Sequence, residues 1–437
     1  MLSREDNELL CRTGPGTPMG ELFRRFWLPA MLASDLPDPD SEPWRLQILG
    51  ERLVAFRDTN GKVGILDRHC PHRLADLWFG RNEESGLTCA YHGWKFDVEG
   101  NTVSMPTEPA DSDFKERLKI KSYPAREFGG VVWVYMGPRE LQPELPQFEW
   151  ARVADDHRVV RSWIQESNYM QATEGEIDSA HISFNHRWFK QDYAPPAQRL
   201  PQRTTADGTV VRVLDGAPRL TVKETDYGFI YGSRRNTGQG DYYWRCTQFL
   251  LPFWSLIPGP VPPRGGRCWV PVDDEHNMVF QYSAHPERPL TDQERERLTA
   301  SPQNLSRAVF KLPGDRTLID CWRPQRTRDN DYLIDRDMQR TKNFTGIASG
   351  REQDMAMTDG MGYIPERWRE HLGTTDIAII AARKILLRMA QQLQDGIEPY
   401  PPHHGDLYRL RPIDLASDID DFETLLERHG ELGLARV

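Results

Sequence analysis

Cysteine is scarce: six residues in 437, at positions 11, 70, 89, 246, 268 and 321. Thiols this sparse in a long chain are expected as free thiols or metal ligands rather than as a disulfide framework. Long apolar runs are missing as well. The longest, 131–136, falls far short of the ~18–20 residues that cross a bilayer. The opening Met1-Leu2-Ser3-Arg4-Glu5-Asp6 carries charge and no apolar stretch, so no secretory signal is read there. The expected compartment is the cytosol, with no membrane partner. Basic charge is in deficit, 55 Lys and Arg against 65 Asp and Glu, for a net charge of -10. That balance argues against a nucleic-acid partner. There is no internal repeat, no Gly-x-Gly-x-x-Gly after a strand and no four-cysteine plant-type pattern, so no reductase module is read in the chain.

What is present is a foldable mixture, 38% hydrophobic and 10% aromatic, enough for a sizeable core. The length predicts two to three domains. Gly14-Pro15-Gly16-Thr17-Pro18 followed by 22–28 reads as a turn and a short helix. The proline- and acid-rich 35–43 reads as a linker. From Trp44 to about Gly137 the pattern is strand-like. Segments 53–56 and 63–66 flank Asp58-Thr59-Asn60-Gly61, a hairpin signal in which Asn-Gly supplies the positive φ of a type I′ turn. A second hairpin is read over 96–103 and a buried strand over 130–136. After a second linker, 137–146, residues 163–189 show helical spacing. Strands of one antiparallel sheet are read near 209–215, 219–223, 227–232, 242–251 and 268–271. The clearest helix is 375–394, with Ile379, Ala382, Leu386, Met389 and Leu393 in one apolar stripe. Thr374 or Thr375 suits its N-cap and Gly396 its stop. The expected fold class is α+β. An N-terminal segment, 1–37, packs on the larger domain. An all-β domain occupies 38–145. The larger domain, 146–437, has an antiparallel sheet covered by helices.

In the all-β region stands Cys70-Pro71-His72, then Cys89-Ala90-Tyr91-His92. Two loops each offer one thiolate and one imidazole. A Rieske [2Fe–2S] centre uses two thiolates on one iron and two imidazoles on the other, which raises its potential. Structural zinc also takes Cys₂His₂, but its usual order is a cysteine pair followed by a histidine pair. His69 flanks the motif outside its spacing and reads as a surface neighbour. With Gly93-Trp94 following, the motif resembles that of the Rieske aromatic-ring oxygenases. The Rieske proteins of respiratory complexes carry an extra cysteine in each loop, and none stands here. The resemblance implies that Cys70, His72, Cys89 and His92 hold the cluster.

A Rieske ferredoxin would need about a hundred residues, one small domain. The remainder contains Asp178-x-x-His181-x₄-His186. Residues three apart share a helix face, so Asp178 and His181 do. His186 lies about 140° further round a regular helix. The helix must therefore bulge or end if both imidazoles are to meet one metal. Two imidazoles and a carboxylate leave open positions on Fe(II), the facial triad of non-haem oxygenases. The run Asn168-x-x-Gln171-x-x-Glu174-Gly175-x-x-Asp178-x-x-His181-x₄-His186 is similar to the same oxygenases. The resemblance implies that His181 and His186 bind a mononuclear iron. It implies further that Asp178 hydrogen-bonds both an iron-ligand histidine and a Rieske histidine of the neighbouring subunit. The segment 350–357 resembles the family's carboxylate segment. Asp354 matches the third ligand there, with Glu352 as the fallback, the alternative being two surface acids at a helix start.

Arg245 stands in an aromatic strand-like segment, 241–254, on one face with Tyr243 and Phe249. It anchors a substrate carboxylate by a bidentate pair or sits in a structural ion pair. Ser179, beside Asp178, faces the same pocket on this reading. The segments 14–20 and 326–336 resemble the phthalate 4,5-dioxygenase group. That group includes dioxygenases of aromatic acids and O-demethylases of methoxylated ones. It implies O₂ as co-substrate, a separate NADH-dependent flavin and iron–sulfur reductase, and a trimer or pair of trimers. The expected function is a terminal oxygenase acting on a phthalate-like acid. The rivals are an O-demethylase and, more remotely, an electron carrier without catalysis.

Overall fold

The computed structural model describes residues 2–189, 202–205, 210–212, 216–238, 240–259, 263–300, 309–310 and 319–437. Two helices, Arg4–Cys11 and Pro18–Arg24, open the chain. Thr17 caps the second, its hydroxyl accepting the Gly20 N–H at 3.2 Å. The helical stretch read over 22–28 therefore ends early. Strand β1 (Trp27–Leu32) follows and pairs with β11 (Val131–Tyr135), the buried strand foreseen, which also pairs with β10 (Ala125–Phe128). The unpaired edge of β11 recruits these aromatic residues, overriding their local preference.

The β region holds two four-stranded sheets. One runs β2 (Trp44–Ile48), β3 (Glu51–Arg57), β4 (Val63–Asp67) and β9 (Ser122–Tyr123). The other runs β5 (Arg81–Glu83), β6 (Gly86–Thr88), β7 (Lys95–Phe96) and β8 (Thr102–Ser104). Val54, Phe56, Leu66, Leu87, Trp94 and Phe96 form the core between them, with Cys70 and Cys89 in it. The β3–β4 hairpin forms, but not through a two-residue type I′ turn. Its loop is longer, and Asp58 organises it by accepting the N–H groups of Asn60 and Lys62 at 2.9 and 2.8 Å. Only Gly61 of the Asn-Gly pair has positive φ. In the β7–β8 hairpin Gly100 has φ +78°, and a Cβ there would lie 2.3 Å from the Ile120 carbonyl oxygen. Only glycine fits both demands.

The larger sheet contains β12 (Arg158–Gln165), β15 (Arg219–Thr225), β16 (Gly228–Asn236), β17 (Tyr242–Leu250), β18 (Trp254–Leu256), β19 (Arg264–Pro271), β20 (Asn277–Ala284) and β23 (Ile413–Ser417). The order is 12-20-19-18-17-16-15, with β23 also on β17 and every pair antiparallel. Strands read near 219–223, 227–232, 242–251 and 268–271 are all in it. The one read near 209–215 is not: β14 (Val210–Arg212) pairs with β13 (Gln202–Thr204) in a separate sheet, and 209 and 213–215 lie outside the described residues. A further small pair is β21 (Val309–Phe310) with β22 (Trp322–Arg323).

Residues 163–189 are not uniformly helical. The first three finish β12, which pairs along its whole length with β20. Then comes helix Tyr169–Ile177 and a single 3₁₀ turn, His181–Ser183. Helix Ile377–Gln394 covers β15 and β16. Thr374–Asp376 form a 3₁₀ turn ahead of it, and Gly396 ends it at φ +84°. Helix Tyr169–Ile177 packs on β18 and β19, with helix Gly350–Gly360 against it. The two initial helices also contact Ile377–Gln394. Arg45 of β2 and Asp320 form a buried pair at 2.8 Å between the β region and the large domain. The fold is α+β, as expected. No helix among the described residues is long and apolar enough to cross a membrane.

Candidate metal centres

Cys70 and Cys89 sit at the tips of two facing loops, 1% and 2% exposed. The first loop closes on itself: Cys70 N–H donates to Ala75 O, and Leu74 N–H to Cys70 O, both at 2.9 Å. Arg68 and Asp76 clasp its base at 2.9 Å. In the second, Cys89 N–H donates to Trp94 O at 2.8 Å and Gly93 N–H to Cys89 O at 2.9 Å. Burial pushes the Cys70 thiol up to about 11, against the lowering effect of the His72 N–H, so metal binding there would release a proton. The His72 ring lies 4.3 Å from Trp94, stacked, and 4.4 Å from His92. Its Nδ1 is buried with no hydrogen-bond partner, an orphaned lone pair of the kind a metal satisfies. The thiols face the core and the imidazoles lie nearer the surface, beside exposed Leu74 and Tyr91. His69 lies outside this set, its Nδ1 3.6 Å from Asp67.

Among the described residues, one group of three has donor atoms all within 4.8 Å of one another: His181, His186 and Asp354. The four residues of the cysteine–histidine loops do not converge in that way. Two thiols on the core side and two imidazoles nearer the surface suit a binuclear cluster ligated at both ends.

Helix Tyr169–Ile177 is fixed through its buried polar motif positions. Asn168 caps it, accepting the Met170 N–H at 3.1 Å and donating to Cys11 O and Asp274 O. Gln171 donates to Thr358 O and Gly362 O at 2.9 and 2.7 Å. Glu174 is gripped by Arg367 and Arg383 at 3.0 and 2.6 Å. The helix ends before His181, earlier than the break read from the sequence, so Asp178 and His181 do not share a helix face. Asp178 is its C-cap residue, extended in conformation, and its Oδ1 accepts the Ala180 N–H at 2.6 Å. The 3₁₀ turn then returns His186 towards His181. The two Nε2 atoms are 3.3 Å apart. Asp354 Oδ1 lies 2.9 Å from His186 Nε2 and 3.6 Å from His181 Nε2.

The surroundings orient these groups. His186 Nδ1 is 2.8 Å from Gln353 Oε1, an acceptor, so Nδ1 carries the proton and Nε2 the lone pair. His181 Nδ1 is 3.4 Å from Asp178 Oδ2. Burial works to raise the Asp178 carboxyl, but His181 and the backbone N–H groups hold it below its ordinary value. Burial likewise works against a charged His181, and Asp178 and Asp354 more than offset it. Asp354 is held low by Arg351 and His186 despite its burial. Glu352 is fully buried and paired with Arg326 at 2.9 Å, turned away from the imidazoles. Of the two acids, Asp354 is the one that meets them.

A cavity of about 380 Å³ is lined by His181, His186, Asp354, Arg245, Thr247 and Arg267, among others. Arg245 donates to Pro258 O at 3.1 Å. Among the described residues it has no carboxylate partner, so the structural ion pair is not found. Ser179 borders the cavity too, but its hydroxyl is 2.8 Å from Ser233 Oγ and its carbonyl accepts from Arg235. A second opening of about 870 Å³ shares Asp178, His181 and Asp354 with that cavity and is also lined by Phe184, Tyr332 and Phe344. Sequence reasoning missed Glu176, Asn185, Arg267, Arg351 and Gln353. The spacing of Arg351 from Asp354, three residues on a helix, was the only available signal.

Two family models match the chain: the Rieske [2Fe-2S] domain over residues 26–124 and the LigXa C-terminal domain like family over 134–403. The chain is 37% identical to the 3-chlorobenzoate-3,4-dioxygenase oxygenase subunit of Comamonas testosteroni, covering 100% of both. It is 38% identical to the phthalate 4,5-dioxygenase oxygenase subunit of Pseudomonas putida, over 91% of this chain and 88% of that one. It is 31% identical to the 5,5'-dehydrodivanillate O-demethylase oxygenase subunit of Sphingobium sp., over 91% and 83%.

Proposed function

The chain belongs to the Rieske non-haem iron oxygenases, in the phthalate 4,5-dioxygenase-like group, and from that premise we propose that it dihydroxylates the ring of a phthalate-like aromatic acid. It is the oxygenase subunit of an aromatic ring-hydroxylating or demethylating system, with a Rieske [2Fe–2S] centre and a mononuclear non-haem iron. On our reading its electrons come from a separate NADH-dependent flavin and iron–sulfur reductase. The observation that carries the proposal is the meeting of His181, His186 and Asp354 beside a cavity that also presents Arg245.

In this reading Cys70, His72, Cys89 and His92 hold the cluster, and His181, His186 and Asp354 hold the iron. When bound, these groups supply electrons and dioxygen activation. The side chains do the rest. Arg245 pairs with the substrate carboxylate, whose flat face matches the guanidinium fork, and so directs the ring towards the three ligands. Ser179 shapes the cavity wall, its hydroxyl being tied to Ser233. Asp178 links His181 to the wider opening, against which, on this reading, the His72 and His92 edge of a neighbouring subunit sits in a homotrimer or hexamer. The division into 1–37, 38–145 and 146–437 follows the same reading, as does a cytosolic setting, in which the six free cysteines stay reduced.

Iron analysis with oxygen uptake tests this. About three irons per chain and O₂ consumption with phthalate-like acids are expected, against about two irons and none for an electron carrier. O-demethylation is the second reading, favoured by the likeness to the O-demethylase subunit. Formaldehyde release from methoxybenzoates would select it. Arg245→Met is expected to raise KM for acidic substrates about 30-fold, since losing a hydrogen-bonded charge partner costs about 2 kcal/mol or more, and to leave neutral analogues nearly unaffected. An equal effect on both would make Arg245 a structural residue.

A further inference from the structure

The two oxygens of Asp354 are held differently. Oδ1 faces the imidazoles, 2.9 Å from His186 Nε2, and accepts from Asn185 Nδ2 at 2.9 Å. Oδ2 is 3.0 Å from Arg351 Nη1. The same Nη1 lies 2.9 Å from Glu176 Oε2, and Glu176 Oε1 is taken by Arg267. The side chains of Glu176, Asp354, Arg351 and Arg267 are only 4%, 14%, 16% and 17% exposed. They form a line of alternating charge from β19, across the end of helix Tyr169–Ile177, to the first turn of Gly350–Gly360. Arg351 and Asp354 share a helix face, so the helix sets their spacing. Glu176 keeps the guanidinium from swinging into the cavity.

We propose that Arg351 confines Asp354 to binding metal through Oδ1 alone. Charge-assisted hydrogen bonds from guanidinium to carboxylate are among the stronger ones, and this pair is largely buried. A carboxylate with Oδ2 engaged elsewhere has one oxygen for a metal, which leaves one more coordination position vacant. A facial set of ligands is useful in proportion to the positions it leaves open. Arg351 acts through Asp354 and is therefore a positioning residue. Glu176 and Arg267 hold it in place. The inference rests on the reading of Asp354 as an iron ligand.

The test uses protein with its cluster intact, its mononuclear site emptied, and its aspartate carboxylates labelled with carbon-13. Fe(II) alone is added. The infrared difference spectrum reads the separation between antisymmetric and symmetric carboxylate stretches of the aspartate that binds. A wide separation, the signature of one-oxygen ligation, is expected in the wild type and in Arg351→Lys, which keeps a donor for Oδ2. Arg351→Met is expected to narrow it to the chelating value and to slow iron release to a chelator. An unchanged cluster spectrum checks folding, and Glu176→Gln, which loosens the anchor, should move the separation the same way if Arg351→Met fails to accumulate. A narrow separation in the wild type, or the same wide one in Arg351→Met, would overturn the inference while leaving Asp354 a ligand. No iron-induced aspartate signal in the wild type would remove Asp354 as a ligand, and the inference with it.

Discussion

Asp178→Asn is expected to leave the cluster spectrum and the iron content intact while turnover falls by at least about 100-fold. Losing a partner that orients a metal-bound histidine costs 10–100-fold in affinity or activity, and this residue has a second task in our reading. Its Oδ1 shapes the turn after the helix by accepting the Ala180 N–H at 2.6 Å, a bond an asparagine oxygen also makes. Its Oδ2 faces His181 Nδ1 at 3.4 Å, and there an amide nitrogen meets an N–H with no acceptor. The side chain also borders both the smaller cavity and the wider opening. The substitution therefore keeps the local fold and removes the charge that joins His181 to the surface. Rapid-mixing reduction of the cluster followed by single-turnover product formation separates the two effects. Normal product formation after reduction would remove the bridging role.

The convergence of His181 and His186 is legible in the sequence because five residues cannot share a face of a 3.6-residue helix. Either the helix breaks or the pair does not meet; that the break falls at Asp178, ahead of both histidines, was not legible. The facing Cys-His loops are legible because few residue types hold a binuclear cluster. Arg245 stands out as a cation in an apolar strand. Arg267 does not, because its place depends on β19 lying next to β18, a pairing that no local pattern encodes. The same limit explains β12. Trp163 and Ile164 satisfy helical spacing, but eight ladder pairs to β20, more than a hundred residues away, decide the outcome. β1 turned from helix to strand for the same kind of reason. Local propensity is a weak prior where a long-range ladder is on offer.

Glu174, a residue of the same motif run, is framework. It is 7% exposed. Its oxygens accept from Arg367 at 3.0 and 3.1 Å and from Arg383 at 2.6 Å, and Arg367 also reaches Asn7 and Cys11 in the first helix. One carboxylate thus ties helix Tyr169–Ile177 to the chain's start and to helix Ile377–Gln394. Glu174→Ala is expected to destabilise the fold by about 3–5 kcal/mol, the cost of stranding a buried partner charge, read as a fall in the urea midpoint of the near-UV dichroism. Burial raises the Glu174 carboxyl, but the two arginines more than reverse this and its folded pKa is lowered. By linkage its stabilisation is complete above the unfolded glutamate range, about 4.3, and is lost as pH falls through the folded value. The gap between wild type and Glu174→Gln should therefore close as the solution is acidified. Replacing the whole group, Glu174→Met with Arg367→Met, Arg383→Met and Glu370→Met, the last because Arg383 also pairs with Glu370 at 2.7 Å, should cost less than Glu174→Ala alone, since a buried pair is poor stability evidence while a broken one is costly. A gap independent of pH would show that the carboxylate's charge is not what holds these helices together.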